Sequence, residues 1–166
     1  MDIEAQVRRT LAGSDHELID CDPELADTAA FCAHYGYPEE QSANTILVAS
    51  RRPPGESAAC VVLATTRLDV NNRVRKLMGV RKASFAPAEV TSELTGMLIG
   101  GVTPFALPAD LPIYIDARIM DLDWVIVGGG SRSLKLKVPP AALAALPGAE
   151  VVEGLAIAQP NEPEAN

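Results

Sequence analysis

Aromatic side chains are scarce in this chain of 166 residues: one Trp, three Tyr and three Phe, 4% of the total. Leu, Val, Ile and Ala must therefore fill the core, and no interleaved platform for stacking bases is in view. Histidine is rarer still. His16 and His34 both fall in the first quarter of the chain, which leaves a His/Cys metal site or a Ser-His-Asp arrangement little to draw on. The three cysteines, Cys21, Cys32 and Cys60, form no CxxC pair and leave one over in any pairing, so buried reduced thiols are expected. No uninterrupted apolar run approaches the roughly 20 residues of a spanning helix. Asp2 and Glu4 stand where a signal peptide needs basic residues. The expectation is a cytoplasmic protein with no membrane contact and no structural metal.

Positive charge is also short. Fourteen Lys and Arg against 22 Asp and Glu give a net charge of −8, which argues against non-specific nucleic-acid binding by the whole surface. The imbalance is uneven. Residues 1–50 carry ten acids against Arg8 and Arg9, whereas Arg67, Arg73, Arg75, Lys76, Arg81 and Lys82 are opposed only by Asp69. Such a run is either a solvated helix face or a local phosphate-contacting patch.

What is present is a set of well-punctuated elements in one chain of single-domain length. Residues 3–12 read as an amphipathic helix. Asp22-Pro23 reads as an N-cap with proline in the first turn, opening a helix that runs to Tyr35 and stops at Gly36. Further helices follow Asp69 to Gly79, Pro87 to Gly96, and Pro139-Pro140 to Pro147-Gly148. Apolar, β-branched runs at 45–49, 60–64, 83–85, 113–115, 124–127, 134–138 and 151–152 read as strands. Several are apolar throughout, as in a sheet covered on both faces, whereas Leu134-Lys135-Leu136-Lys137 alternates as a half-exposed strand would. Arg52-Pro53-Pro54-Gly55 reads as a hairpin loop. The irregular interspersion predicts a single α/β domain with a mixed sheet over residues 1–158, followed by a disordered acidic tail, QPNEPEAN, at 159–166.

Two glycine-rich turns are the candidate site: Thr95–Pro104, with Gly96, Gly100 and Gly101, and Val127–Ser133, with Gly128, Gly129 and Gly130. Glycines after an apolar strand let the backbone approach a ligand and turn bare N–H groups toward it, or they make a tight turn and nothing more. The second turn lacks G-x-G-x-x-G spacing and a ribose-binding acid about 20 positions on. No lysine follows Gly100-Gly101 as a P-loop needs, and no G-x-S-x-G elbow is present.

The run Leu94-Thr95-Gly96, Gly100-Gly101-Val102-Thr103-Pro104-Phe105 and Leu111-Pro112-Ile113-Tyr114-Ile115-Asp116 resembles the YbaK/ProX family, the aminoacyl-tRNA deacylases related to the editing domain of bacterial prolyl-tRNA synthetase. The likeness continues through Gly128–Ser133, Leu134-Lys135-Leu136 and the closing Leu143–Val151. It also takes in Cys32–Gly36 and Gln41–Val48, and so spans roughly residues 20–155. The resemblance implies a mixed, curved β-sheet surrounded by helices, no metal or organic cofactor, and hydrolysis of the ester that joins a mispaired amino acid to the 3′ end of a tRNA. Its implied partners are aminoacyl-tRNA, the small amino-acid moiety and an aminoacyl-tRNA synthetase. By the same resemblance Gly100, Gly101, Thr103 and Pro104 line the acyl pocket, Gly129, Gly130 and Ser131 close its other wall, and Asp116 sits at the mouth. Asp116 reads equally as a cap on the turn 117–120. Arg73, Arg75 and Lys76 become the candidate tRNA contacts.

One departure stands out. Active members carry a lysine at the start of the first core strand, in a pattern like K-[TS]-L-V, where this chain has Asn44-Thr45-Ile46-Leu47. Asn44 can donate a hydrogen bond without charge, and charge-assisted bonds are roughly twice as strong as neutral ones. Lysines elsewhere, Lys135 among them, are candidates to replace it. Two readings follow: a trans-editing hydrolase with Asn44 and Asp116 as catalytic residues, or a non-catalytic binder of an amino acid or aminoacyl ester. Either way the two glycine turns should face one cleft with Asn44 pointing into it.

Overall fold

A computed structural model of the protein describes residues 2–158; the tail expected at 159–166 lies outside the described residues. The central sheet is built on a long hairpin, β2 (Ala43–Arg52) and β3 (Pro54–Leu63), whose turn holds a cis Arg52-Pro53 bond. On one side, β5 (Lys82–Phe85) pairs antiparallel to β2 and forms an edge. On the other, β6 (Ile113–Asp116) and β9 (Ala149–Val152) add parallel to β3, giving the order β5-β2-β3-β6-β9. The sheet is mixed, as expected. A second sheet, β1 (Glu17–Asp20), β8 (Leu134–Val138) and β7 (Val125–Gly128), is antiparallel in the order β1-β8-β7. A bridge from Ser42 to Ile126 attaches it to the start of β2. The short β4 (Thr66–Leu68) and β10 (Ala156–Ala158) form a separate ribbon.

Alternation explains why the central strands read as apolar throughout. Ala59, Val61, Ile113 and Ile115 turn to one core, shared with Val7 and Leu11 of α1 (Ile3–Leu11) and Met97 after α4 (Ala88–Thr95). Cys60, Val62 and Tyr114 turn to the other, against Val70 and Val74 of a π-helical turn that runs into α3 (Arg75–Met78). Two-sided burial removes the polar half of the strand pattern. Gly36, Gly79 and Gly96 end their helices in the left-handed conformation, as the predicted stops require.

Two expectations are corrected. The helix read from Pro23 to Tyr35 is split: Pro23–Leu25 is a single 3-10 turn, and α2 begins afresh at Thr28 and runs to Tyr35. The break has a tertiary cause, because Ala26 O accepts a hydrogen bond from Lys135 Nζ at 2.5 Å and Asp27 is extended. Strand β8 is not half-exposed either. Lys135 is 6% exposed, since β8 lies between β1 and β7 and its lysine points under α2. The last helix, α5, spans Pro140–Ala144.

Ile115, in a strand paired on both sides, has no exposed surface. Ile115→Ala should therefore lower stability by about 2–5 kcal/mol through lost transfer energy and a residual cavity, read as a shift of the urea midpoint at unchanged slope.

Candidate active site

The two glycine turns are needed first for each other. A side chain at Gly128 would begin 2.2 Å from Val102 O, and one at Gly101 would begin 2.5 Å from the carbonyl carbon of Ser131. Gly130 N donates to Gly101 O at 2.8 Å. The turns are thus interlocked backbone to backbone, at separations that no Cβ would permit. Gly129 packs on Leu134 and Gly130 on Ile3 of α1, with a Cβ excluded at 2.6 Å in each case.

Arg132 fastens this joint to the start of α2. Its Nε donates to Pro23 O at 3.1 Å, and its Nη1 donates to Ile99 O at 2.7 Å and to Asp27 Oδ1 at 3.4 Å. Gly100 has φ +95°, and a side chain there would meet Arg132 Nη1 at 2.0 Å. Its missing Cβ makes room for the guanidinium.

Above the joint lies a cavity of about 390 Å³, bounded by the first half of β2, α2, the 99–102 turn and β7. That volume falls in the range of small-molecule sites. Its walls are mostly apolar, with Phe31, Leu47, Val102 and Val127 among them, and its polar groups converge from different strands. Asn44 lines the cavity and accepts from Thr28 Oγ1 at 2.5 Å through Oδ1, which leaves the amide nitrogen as its donor. Lys135 Nζ donates to Ala26 O and, at 3.1 Å, to Gly100 O, with the ring of Phe31 5.6 Å away. An ammonium has three hydrogens; two are taken here, and Lys135 lines the cavity. Burial holds the lysine's pKa below its ordinary value. The charge of Arg132 adds to this, while Cys21, Asp27 and Cys32 oppose it. Among the described residues, no three His, Cys, Asp or Glu side chains gather as a metal site would need.

The structure thus brings Asn44, Gly100 and Gly128 to one cavity. Other predicted site residues stand behind its wall. Thr103 has no exposed surface and caps the 3-10 turn Pro104–Ala106 through Phe105 N, and Pro104 is buried in that turn. Ser131 Oγ donates to Glu4 at 2.9 Å. Asp116 accepts from Arg118 N at 3.1 Å, pairs with the Arg118 guanidinium at 3.5 Å and is 1% exposed; it is a cap, outside the lining. Arg73 Nε and Arg75 Nε each donate to a backbone carbonyl, of Glu153 and Asn71. Lys76 is exposed on α3. Thr28, Phe31 and Asp27 carry no signal in the sequence, Arg132 stands there only as part of the second glycine turn, and Lys135 only as one candidate replacement for the missing lysine.

A family model for the aminoacyl-tRNA editing domain matches residues 22–146. The uncharacterized protein YwhH of Bacillus subtilis (strain 168) is 32% identical over 112 residues, which is 63% of this chain and 71% of that protein. The crystal structure of hypothetical protein APE2540 superposes with a TM-score of 0.81 at 27% identity, covering 91% of this chain and 99% of its own. That of a candidate trans-editing enzyme for prolyl-tRNA synthetase superposes with 0.78 at 21% identity, covering 96% and 99%, a likeness of fold alone.

The interlock and the buried ammonium each give a measurable consequence. Gly128 lies outside the left-handed region, so Gly128→Ala acts by overpacking alone and should cost about 1–3 kcal/mol in urea unfolding. For Lys135, the unfolded chain keeps its proton to about pH 10.4, while the folded chain releases it lower. Between those two values the unfolded state binds more protons, so this group's contribution to stability rises with pH there. Burial raises the three cysteine pKa values, that of Cys60 to about 12, and this gives the opposite slope. The difference between wild type and Lys135→Met over the alkaline range isolates the lysine: the variant should lack the rising component.

Proposed function

The chain belongs to the aminoacyl-tRNA editing domain family, and from that premise we propose that it is a trans-editing deacylase in which Lys135 supplies the charge missing at Asn44. The observation that carries this reading is the ammonium of Lys135, 6% exposed and holding Gly100 O, in the same cavity as the donor amide of Asn44. The aminoacyl group of a mispaired tRNA occupies the cavity. Water attacks the ester carbonyl carbon, the bond to the ribose oxygen breaks, one water proton goes to that oxygen and the other to solvent. Negative charge gathers on the carbonyl oxygen in between. Donors already held in a water-poor site are the main lever on such a step. The third N–H of Lys135 and the Asn44 amide are those donors. Gly100 and Gly128 hold the wall behind them, and Thr28 fixes the amide so that its nitrogen faces the ester. The apolar walls take a small amino-acid side chain.

A metal or organic cofactor has no part in this scheme. The tRNA, and a synthetase that releases it, are the partners the reading requires. Binding of an aminoacyl ester without hydrolysis, which the neutral Asn44 favours, is the competing reading.

Deacylation across a panel of misacylated tRNAs decides between them. Lys135→Met should slow the cleaved ester by about 10²–10³, the loss of one oxyanion donor, and Asn44→Ala should slow it in the same sense. Asn44→Lys should raise the rate by about 10² or less, with a thermal penalty for burying a second ammonium. A wild type and Asn44→Lys that leave every ester in the panel intact would refute the hydrolase and leave the binder.

A further inference from the structure

The cations of this chain are not spread over its surface. Six of its 14 Lys and Arg residues, Arg51, Arg52, Arg75, Lys76, Arg81 and Lys82, meet at one corner of the central sheet. Arg52 stands opposite Lys82 in the β2–β5 register, and Arg81 N donates to Arg52 O at 2.8 Å. Val80 N donates to Arg75 O at 3.2 Å, which brings the end of α3 to the same corner. Arg51 reaches across β5 to Ser84 Oγ at 3.4 Å. Five of the six are exposed and Arg75 is half-buried.

Among the described residues, none of these six lies within ion-pair distance of a carboxylate, in contrast to Arg118 beside Asp116 and Arg132 beside Asp27. Glu56, exposed on β3, is the acid nearest in sequence on the hairpin side. A protein with 22 acids has ample means to neutralise a cluster of cations, so six left together and unpaired repel one another until an anion arrives.

Edge strand β5 leads from the corner to the cavity. Strand β5 runs from Lys82 to Phe85, about 10 Å at the rise of a strand. Phe85 lines the cavity together with Ile99 across its mouth. Both are bare, 54% and 56% exposed, and Leu98 beside them is 63% exposed. These are the large apolar side chains that the fold leaves in water at this place, and an exposed aromatic face is what an unpaired base stacks on.

We propose that this strip is the seat of the RNA itself: the unpaired 3′ end of an acceptor stem stacks a base on Phe85 and Ile99 at the cavity mouth, and the phosphates behind it lie on Arg51, Arg52, Arg81 and Lys82. This rests on the editing reading for the identity of the RNA, but it concerns a different surface from the acyl cavity. It also shifts the contact from the run read in the sequence. Arg73, whose Nε holds Glu153 O, drops out, while two arginines of a hairpin turn come in.

The test is fluorescence anisotropy on the full chain, with an acceptor-stem hairpin ending in single-stranded CCA and the same hairpin cut blunt, each titrated from low to moderate salt. The wild type should prefer the overhang. Arg52→Glu/Lys82→Glu should weaken binding to both RNAs by on the order of tenfold or more and flatten the log–log salt dependence by about 0.7–0.9 per lost contact. Phe85→Ala should weaken the overhang by about 5- to 100-fold and leave the blunt hairpin unchanged. All three residues are exposed, and unchanged urea midpoints would establish that the variants are folded. Equal affinity of wild type and variants, equal binding of the two hairpins, or no binding of either overturns the proposal. If RNA binds here but no aminoacyl ester is cleaved, the editing reading fails and this surface stands. If cleavage persists with unchanged KM in both variants, this surface fails and the editing reading stands.

Discussion

Val102 O lies where a side chain at Gly128 would have to begin, and the Ser131 backbone lies where one at Gly101 would. The Lys135 side of the cavity descends from that approach of two turns. Because they interlock, Ile99 and Arg132 are close enough for a 2.7 Å bond; because Arg132 is there, it reaches Pro23 O and Asp27 as well. The start of α2 is thereby held against the 99–101 turn, with Ala26 O and Gly100 O facing the same space. Lys135 fills that space. Ala26 is fully buried, and its carbonyl would otherwise be short of a partner at a cost of about 1–3 kcal/mol; Gly100 O is part-buried. The ammonium bonds both carbonyls, which helps make a buried cation tolerable without a carboxylate in ion-pair contact.

The site is thus assembled by contacts distant in sequence: Ala26 with Lys135, Ile99 with Arg132, Thr28 with Asn44. That governs what could be read beforehand. Helix stops at Gly36, Gly79 and Gly96 were legible because a left-handed residue is a local requirement. The central strands were legible because burial on two faces leaves an apolar run, and the irregular interspersion of helices and strands pointed to a mixed sheet. The break after Leu25 was not, since nothing in residues 23–35 announces that Ala26 O is taken by a lysine 109 positions on. Nor was the burial of Lys135. Leu-Lys-Leu-Lys has the period of a half-exposed strand, and only the position of β8 between two neighbours, under α2, shows that the first lysine points inward. Strand β1 was invisible for the converse reason: Glu17, Leu18 and Asp20 are exposed, so its edge pairing leaves no apolar trace.

Glycine carried the most ambiguous signal. A run of glycines reads alike whether it admits a ligand or a neighbouring backbone. Here both occur, in different residues. Gly101, Gly129 and Gly130 admit protein atoms and lie outside the cavity lining, whereas Gly100 and Gly128 admit protein atoms on one side and line the cavity on the other. Substituting either would disturb packing and site together, so loss of activity at these positions alone would say little about contact with a ligand. Asn44 is more informative, because it fills no gap between backbones and lines the cavity, whereas Lys135 both lines the cavity and joins Ala26 O to Gly100 O.

The distribution of charge gives the proposed surface its direction. With a net charge of −8, most of this molecule repels a polyanion at distances up to a Debye length, about 8–10 Å in physiological salt. A single basic corner on such a body guides an approaching strand to one place, which affects where it docks and how fast it arrives more than how tightly it holds. That corner adjoins the edge strand leading to the cavity, and Phe85 stands at the far end of that strand. An RNA end drawn to the arginines therefore meets the mouth of the cavity next, and the acidic surface elsewhere limits competing orientations. On this argument the excess of acid, which counts against nucleic-acid binding when averaged over the chain, is what makes one small basic patch selective.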